Sequence, residues 1–124
     1  MAVTTEQLNQ LYLAYFGRPA DFSGLVYYTT NPAYDIWQVA AAFSASPESV
    51  ALYGTTFSPD QINSIYQNLF NRSAESAAIL YWSQQVSAGN ITPGGAAYAI
   101  LLGAQNEDLT TVQHKLAVAD DRIA

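Results

Sequence analysis

The chain has 124 residues, of which half are hydrophobic and only 11% are charged, a composition that excludes a disordered segment. Ten acidic against four basic residues give a net charge of −6, so the cationic surface that would neutralise phosphates on a nucleic acid or an anionic membrane is missing. Without cysteine, and with His114 as the single histidine, most catalytic arrangements lack a member, so we do not expect an enzyme.

Four predicted helices occupy the first half of the chain, and each starts at a residue type that favours helix N-termini. These residues are Thr4, Asp21, Asp35 and Ser46. Gln7 follows Thr4 at the spacing of a capping box, and apolar residues at helical spacing then predict a helix of about twelve residues. Gly17 ends this helix, because glycine tolerates a left-handed backbone at that position.

The second half of the chain has the same kinds of residues at its predicted helix starts and ends. Ser58 precedes a proline at the first helical position, and Asn71 stands at the end of that helix as Gly17 does earlier. Gly89 ends a further helix, and Thr92 begins the next. A last apolar stripe at helical spacing consists of Leu109, Val112, Leu116, Ala119 and Ile123. No segment alternates with a period of two, so we predict a compact, all-α, multi-helix fold.

Two segments align with an offset of 54 residues, LYLAYFGRPADFSGLVYY from Leu11 to Tyr28 and IYQNLFNRSAESAAILYW from Ile65 to Trp82. We therefore predict one domain, 1–124, built from two related helix-turn-helix units. Unit one spans about 5–57, unit two about 58–111, and a further helix or repeat begins at 112–124. Because the last helical pattern continues to the end, we expect an N-terminal piece of a longer protein.

The charged positions of the alignment have two interpretations. Arg18 and Asp21 recur as Arg72 and Glu75 in the alignment. Two of the four basic residues of the chain therefore occupy the same aligned position. One interpretation is a capping and ion-pair device that holds the turn between helices. The other is a binding clamp, in which Arg presents a planar fork to an anion and Asp accepts hydrogen bonds from sugar hydroxyls. Both interpretations remain open at this stage.

The chain holds sixteen aromatic residues, nine of them Tyr, which exceeds what a small helical core needs. Exposed rings suit the apolar faces of sugars, since they offer flat area at a low cost in conformational entropy. The alternative is that the rings are core residues with their polar tips facing outward. The candidate glycan-binding residues are Tyr28, Trp37, Trp82, Tyr27, Tyr81, Arg18 and Asp21.

No metal or cofactor is expected in this fragment. The acidic pairs Glu107-Asp108 and Asp120-Asp121 lack the alternating pattern of a calcium loop, and helix N-capping explains the first pair better. His114 has no second histidine or cysteine at ligand spacing, so a solvated position on a helix is expected. A hydrolase would need two carboxylates facing one cleft, and nothing in the pattern indicates such a pair.

The segment Leu11–Tyr28, followed by VAAAFSASPE from Val39 to Glu48 and by Tyr53-Gly54, resembles a widespread bacterial repeat domain of unknown function. That domain occurs in proteins exported by type 1 secretion, including RTX-type adhesins and surface-layer proteins. Two such units at an N-terminus are similar to the anchoring regions of Gram-negative surface-layer proteins. The resemblance implies attachment to the O-antigen polysaccharide of lipopolysaccharide, with calcium bound in a distant part of the parent protein.

We therefore expect a non-catalytic anchoring module on the outer surface of a Gram-negative bacterium. Its partners would be the O-polysaccharide and neighbouring copies of the parent protein, with no nucleic acid and no direct insertion into the bilayer. The opening residues have no signal-peptide pattern, which agrees with the type 1 export that the resemblance implies. The alternative function is a structural self-association module of a surface lattice or adhesin.

Overall fold

The structure, a computed structural model, describes residues 3–54 and 56–123. Eight helices and no strand are found over these ranges, which confirms the all-helical prediction. The helices are α1 Thr5–Phe16, α2 Phe22–Thr29, α3 Ile36–Ser44, α4 Pro47–Tyr53, α5 Pro59–Phe70, α6 Ser76–Ser87, α7 Pro93–Leu102 and α8 Asn106–Ile123. None of the helices in the described ranges has both the length and the apolar character needed to cross a membrane.

The helix starts follow the local capping pattern. The Thr4 hydroxyl accepts a hydrogen bond from the Gln7 backbone N–H at 3.1 Å, and the Gln7 side chain accepts one from the Thr4 N–H at 3.0 Å. Asp35 forms the same reciprocal pair with Gln38 ahead of α3. These bonds satisfy N–H groups that the first turn of a helix leaves without partners, which confirms the predicted capping box at Thr4.

Two helix ends use a left-handed residue. Gly17 follows α1 with φ 71°, and Asn71 follows α5 with φ 58°, as the sequence predicts. Glycine and asparagine are the residues that tolerate this conformation most readily, and it allows their N–H groups to reach back to the last turn. A Cβ atom at Gly17 would also come within 2.7 Å of the Asn68 Oδ1 atom, so the Asn68 side chain would have to move to admit it.

The core is assembled around α1, which packs against α5, α7 and α8, while α3 packs on α7. The large apolar side chains with no exposed surface are Leu8, Leu11, Val39, Ile62, Ile65 and Leu69. Each buried side chain of this size contributes roughly 1.5–3 kcal/mol to folding. Helices α2 and α6 contain no buried residue, so they lie on the outside of the molecule.

The two aligned segments have the same local hydrogen bonds. The Asn9 Oδ1 atom accepts from the Ala20 N–H at 3.2 Å, and the Asn63 Oδ1 atom accepts from the Ala74 N–H at 2.8 Å. In each case an asparagine of the first helix holds the loop that leads into the second helix. The loop backbone is thereby fixed at the point where the turn meets the next helix N-terminus.

Candidate functional site

The Arg18 guanidinium pairs with Glu48 at the start of α4. Its Nε and Nη2 atoms donate to the two carboxylate oxygens of Glu48 at 2.9 and 2.6 Å. Of the capping and ion-pair interpretation, the ion-pair part is wrong for Arg18 and Asp21, because Arg18 pairs with Glu48, and it holds in the second segment, where Arg72 lies 3.7 Å from Glu75. Asp21 instead caps α2, where its Oδ1 atom accepts from the Gly24 N–H at 2.9 Å. The reason is geometric, since a side chain at the N-cap turns toward its own helix.

The second arginine makes an equivalent fork with a residue of α8. Arg72 donates from Nε and Nη2 to the two oxygens of Asp108 at 3.1 and 2.7 Å, while Glu75 lies 3.7 Å away. Its guanidinium lies over the Tyr66 and Phe70 rings, 5.3 and 5.6 Å from their centroids. Hydrogen bonding to Arg72 lowers the pKa of Asp108, so the carboxylate stays ionised at neutral pH.

Beside this ion pair lies a cavity of about 420 Å³ that is open to solvent. Its walls come from α5, α6, α7 and the start of α8. The residues that line it are Tyr66, Phe70, Arg72, Trp82, Ala99, Ile100, Gly103, Ala104, Gln105, Asn106 and Asp108. We call this space the Trp82 cavity, because Trp82 is the largest side chain in it and lies on the outer helix α6.

The Trp82 cavity combines apolar rings with polar groups. Trp82 is half-buried, and burial also raises the pKa of Tyr66 above its usual value, so the Tyr66 hydroxyl keeps its proton at neutral pH. Gln105 and Asn106 are exposed where α7 leads into α8, and their amides can donate and accept hydrogen bonds. A lining that combines aromatic rings with many hydrogen-bonding groups matches a ligand that has one apolar face and several hydroxyls.

A second cavity of about 520 Å³ lies by Trp37. The loop between α6 and α7 forms part of its lining, together with Val86 and Gly95. Trp37 packs edge-on against Tyr98 with ring centroids 5.3 Å apart and stays 45% exposed. The other lining residues are Gly89, Asn90, Ile91, Thr92 and Pro93. We call this space the Trp37 cavity.

Both cavities have lining residues on α6 and α7. Trp82 and Val86 are four residues apart and therefore share one face of α6, and each lines one of the two cavities. On α7, Gly95 lines the Trp37 cavity and Ala99 lines the Trp82 cavity. This four-residue separation corresponds to roughly 6 Å at the helical rise, so the cavities are within reach of one extended ligand.

The remaining candidate rings lie elsewhere on the surface. Tyr27 is 55% exposed and packs 4.9 Å from Tyr28 and 6.2 Å from Tyr34. Tyr28 is half-buried, and its ring lies against Phe43. Tyr81 is 54% exposed next to Trp82. The structure therefore distributes the predicted site residues over several places, and Trp82 is the candidate that lies in a cavity with an arginine-carboxylate pair.

Several residues of the Trp82 cavity were not predicted as site residues. Tyr66 could have been found, because it aligns with Tyr12 in the segment alignment. Asp108 and Gly103 follow no sequence pattern that relates them to Trp82, because the cavity is formed by residues that are far apart in the sequence. His114 is exposed on α8, as expected, and no group of three potential metal ligands occurs among the described side chains.

A protein family described as "Domain of unknown function (DUF4214)" matches residues 40–109, more than half of the chain. The chain belongs to the DUF4214 family. In this DUF4214 chain the match includes the segment Ile65–Trp82 and most of the Trp82 cavity, and it begins after the segment Leu11–Tyr28. Neither the curated proteins nor the solved structures contain a match to it. Family membership therefore agrees with the predicted domain of unknown function. The family description names no role for the Trp82 cavity, so a function for it has to be argued from its lining residues.

Proposed function

We propose that this protein is a non-catalytic anchoring module that binds the O-antigen polysaccharide of lipopolysaccharide at a Gram-negative cell surface. The observation that carries the proposal is the Trp82 cavity, where Trp82 and Tyr66 lie beside the ion pair of Arg72 and Asp108. The resemblance of Leu11–Tyr28 to type 1-secreted surface proteins supplies the biological setting.

The chemistry of the Trp82 cavity suits a sugar better than a charged or fully apolar ligand. The C–H face of a sugar ring can lie on Trp82, while its hydroxyls meet hydrogen-bonding groups at the edge. Arg72 and Asp108 form a preorganised donor and acceptor pair, because each is held in place by the other. The net charge of −6 favours a neutral or amino-sugar polymer over a phosphate-rich one.

A repeating polymer and a surface lattice would make weak sites sufficient. Each chain bound to the polysaccharide raises the effective concentration of its neighbours on the same surface, so avidity exceeds the affinity of one cavity. This arrangement needs neighbouring copies of the parent protein and no contact with the lipid bilayer.

The experiment compares binding of the purified chain to lipopolysaccharide with and without O-antigen. Selective binding to the O-antigen form is expected, and Trp82→Ala should weaken it at least about tenfold, the change produced by ~1.4 kcal/mol of lost contact energy. Phe22→Ala is the control, because Phe22 is 77% exposed on α2 and lies outside the Trp82 cavity. Equal binding to both forms, or binding to neither, rejects the proposal.

One observation favours the alternative function of self-association. Phe22, Val26 and Tyr27 leave an exposed apolar face on α2, with exposed fractions of 77%, 44% and 55%. Such a face is typical of residues that meet another protein surface. Sedimentation at rising protein concentration separates the two functions, since an anchoring module alone should remain monomeric without glycan.

A further inference from the structure

The Trp37 cavity offers a partly exposed indole, as the Trp82 cavity does. Trp37 is 45% exposed, and its ring packs edge-on against Tyr98 with the centroids 5.3 Å apart. Tyr98 is fixed in turn, because its ring is buried and its hydroxyl donates to the Gln10 Oε1 atom at 3.1 Å. The Trp37 indole is therefore positioned by a buried neighbour, while the rest of its surface lines a cavity of about 520 Å³.

Hydrogen-bonding groups line the Trp37 cavity as well. Asn90 is exposed in the loop between α6 and α7, and its Nδ2 atom donates to the Gln85 Oε1 atom at 3.1 Å. This bond restrains the Asn90 amide, whose carbonyl oxygen and second N–H can bind hydroxyl groups. Among the described residues that line this cavity, none is ionisable, so its chemistry fits an uncharged sugar.

The place of Trp37 beside α7 is set by a close approach of two helices. A Cβ atom at Gly94 of α7 would clash with the Ala40 carbonyl oxygen of α3, so the two backbones can meet only with glycine there. The Gly94 N–H also donates to the Ser44 Oγ atom of α3 at 2.8 Å. Because α3 carries Trp37, core contacts determine where this indole lies relative to α7.

The residues that line the two cavities follow one register along α6 and α7. Val86 and Gly95 lie near the loop that joins these helices, and both line the Trp37 cavity. Trp82 and Ala99 lie about one helical turn further from that loop, and both line the Trp82 cavity. Gly95 and Ala99 are small, so this face of α7 carries no large side chain where the cavities approach each other.

We propose that one segment of the polysaccharide lies along α6 and α7 and occupies both cavities, with one sugar ring at Trp82 and another ring of the same chain at Trp37. This inference rests on the proposed function and adds a second subsite. It also sets a minimum ligand length, because one ring in each cavity requires at least two sugar residues.

Two subsites on one ligand should act together. Once a ring is bound at Trp82, the next part of the same chain is held near Trp37 at a high effective concentration. Its binding then costs little further loss of translational freedom. A long fragment should therefore bind more tightly than a single sugar residue, and loss of either indole should remove most of that advantage. Two unlinked sites would show no such dependence on ligand length.

The test compares ligand length by isothermal titration. The ligands are delipidated O-polysaccharide and the single sugar residues released from it by hydrolysis, with concentrations expressed per sugar residue. The parent chain should bind the polysaccharide about a hundredfold or more tightly than the single residues. Equal affinity for the two ligands overturns the inference and leaves the proposed function in place.

Variants of the Trp37 cavity test the second subsite. Trp37→Ala should lower the affinity for the polysaccharide about tenfold or more. Asn90→Ala changes an exposed loop residue, so it should keep the fold and weaken binding about twofold to tenfold. Phe22→Ala is the control, because Phe22 is exposed on α2 and lines neither cavity. Melting temperatures confirm that each variant is folded.

Fluorescence shows which indole meets the ligand. Trp37→Phe leaves Trp82 as the single indole, and Trp82→Phe leaves Trp37. The polysaccharide should change the emission of both variants in a saturable manner, because one ligand reaches both rings. A response of Trp82 without a response of Trp37 confines the ligand to one cavity and overturns the inference.

The outcomes separate this inference from the proposed function. If the parent chain binds, Trp82→Ala weakens binding, and both Trp37→Ala and Asn90→Ala bind as the control does, the inference is overturned and the proposed function stands. If the parent chain does not bind the polysaccharide, the proposed function fails and the two-cavity inference fails with it.

Discussion

Removing the phenyl group of Phe43 should destabilise the protein strongly. Phe43 is 3% exposed and contacts three aromatic rings, whereas Phe22 is 77% exposed. Phe43→Ala therefore opens a cavity, while Phe22→Ala deletes a ring that already faces solvent. The two variants make the same chemical change in opposite surroundings.

The expected magnitude follows from burial. Substituting a core Phe by Ala costs about 3–5 kcal/mol, which combines lost transfer free energy with the void that remains. A domain of this size has a total stability of roughly 5–15 kcal/mol, so Phe43→Ala should remove a large part of it. The exposed Phe22→Ala should stay within about 0.5 kcal/mol of the parent chain.

Urea unfolding followed by circular dichroism measures both variants. With a urea dependence of about 1–3 kcal/mol per molar, Phe43→Ala should shift the midpoint by roughly 1–5 M, and Phe22→Ala should leave it in place. A loss below about 1 kcal/mol for Phe43→Ala, or equal losses for both variants, would refute the burial of the Phe43 ring among its three aromatic neighbours.

Three further predictions concern polar contacts. Asn9→Ala should lower the free energy of unfolding by about 1–3 kcal/mol in urea titrations, because the buried Ala20 N–H loses its acceptor; no loss would contradict this role. Lys115→Met should lower it by about 0.3–1 kcal/mol, since the Lys115 Nζ atom donates to two oxygens at the end of α5, and unchanged stability would refute that helix-capping contact. Arg72 lowers the pKa of Asp108 in the folded state, so the ionised Asp108 stabilises the fold at pH values above its unfolded pKa near 3.8. This stabilisation is lost as the pH falls through the lower pKa of the folded state. Unfolding measured from pH 6 to 2 should show a weaker acid dependence in Asp108→Asn, and an identical profile would contradict the pairing.

The helices could be predicted from the sequence because their signals are local. Thr4 with Gln7, Asp35 with its following residues, and the left-handed residues Gly17 and Asn71 all act within a few positions of the chain. A cap is specified by neighbours in sequence, so its pattern is visible before the fold is known.

The partners of the two arginines could not be predicted in the same way. Glu48 lies 30 residues after Arg18, and Asp108 lies 36 residues after Arg72. Because the two separations differ, Glu48 and Asp108 do not align with each other at the offset of 54 residues that relates the two segments. The packing of α4 and α8 determines these pairs, and an alignment of the segments alone favours the nearer acid.

The Trp82 cavity could not be predicted from the sequence in the same way. Two of its aromatic residues, Tyr66 and Trp82, were visible in the alignment of the two segments. The cavity is also lined by Ile100, Asn106 and Asp108, which lie outside the aligned segments. Its shape is a property of all the surrounding helices together.

The two arginine forks join parts of the chain that are far apart in sequence. Arg18 follows α1 and reaches Glu48 in the first turn of α4, and Arg72 follows α5 and reaches Asp108 in the first turn of α8. Separating α4 or the start of α8 from the rest of the protein must therefore break a bidentate contact, which couples the turns after α1 and α5 to these later helices.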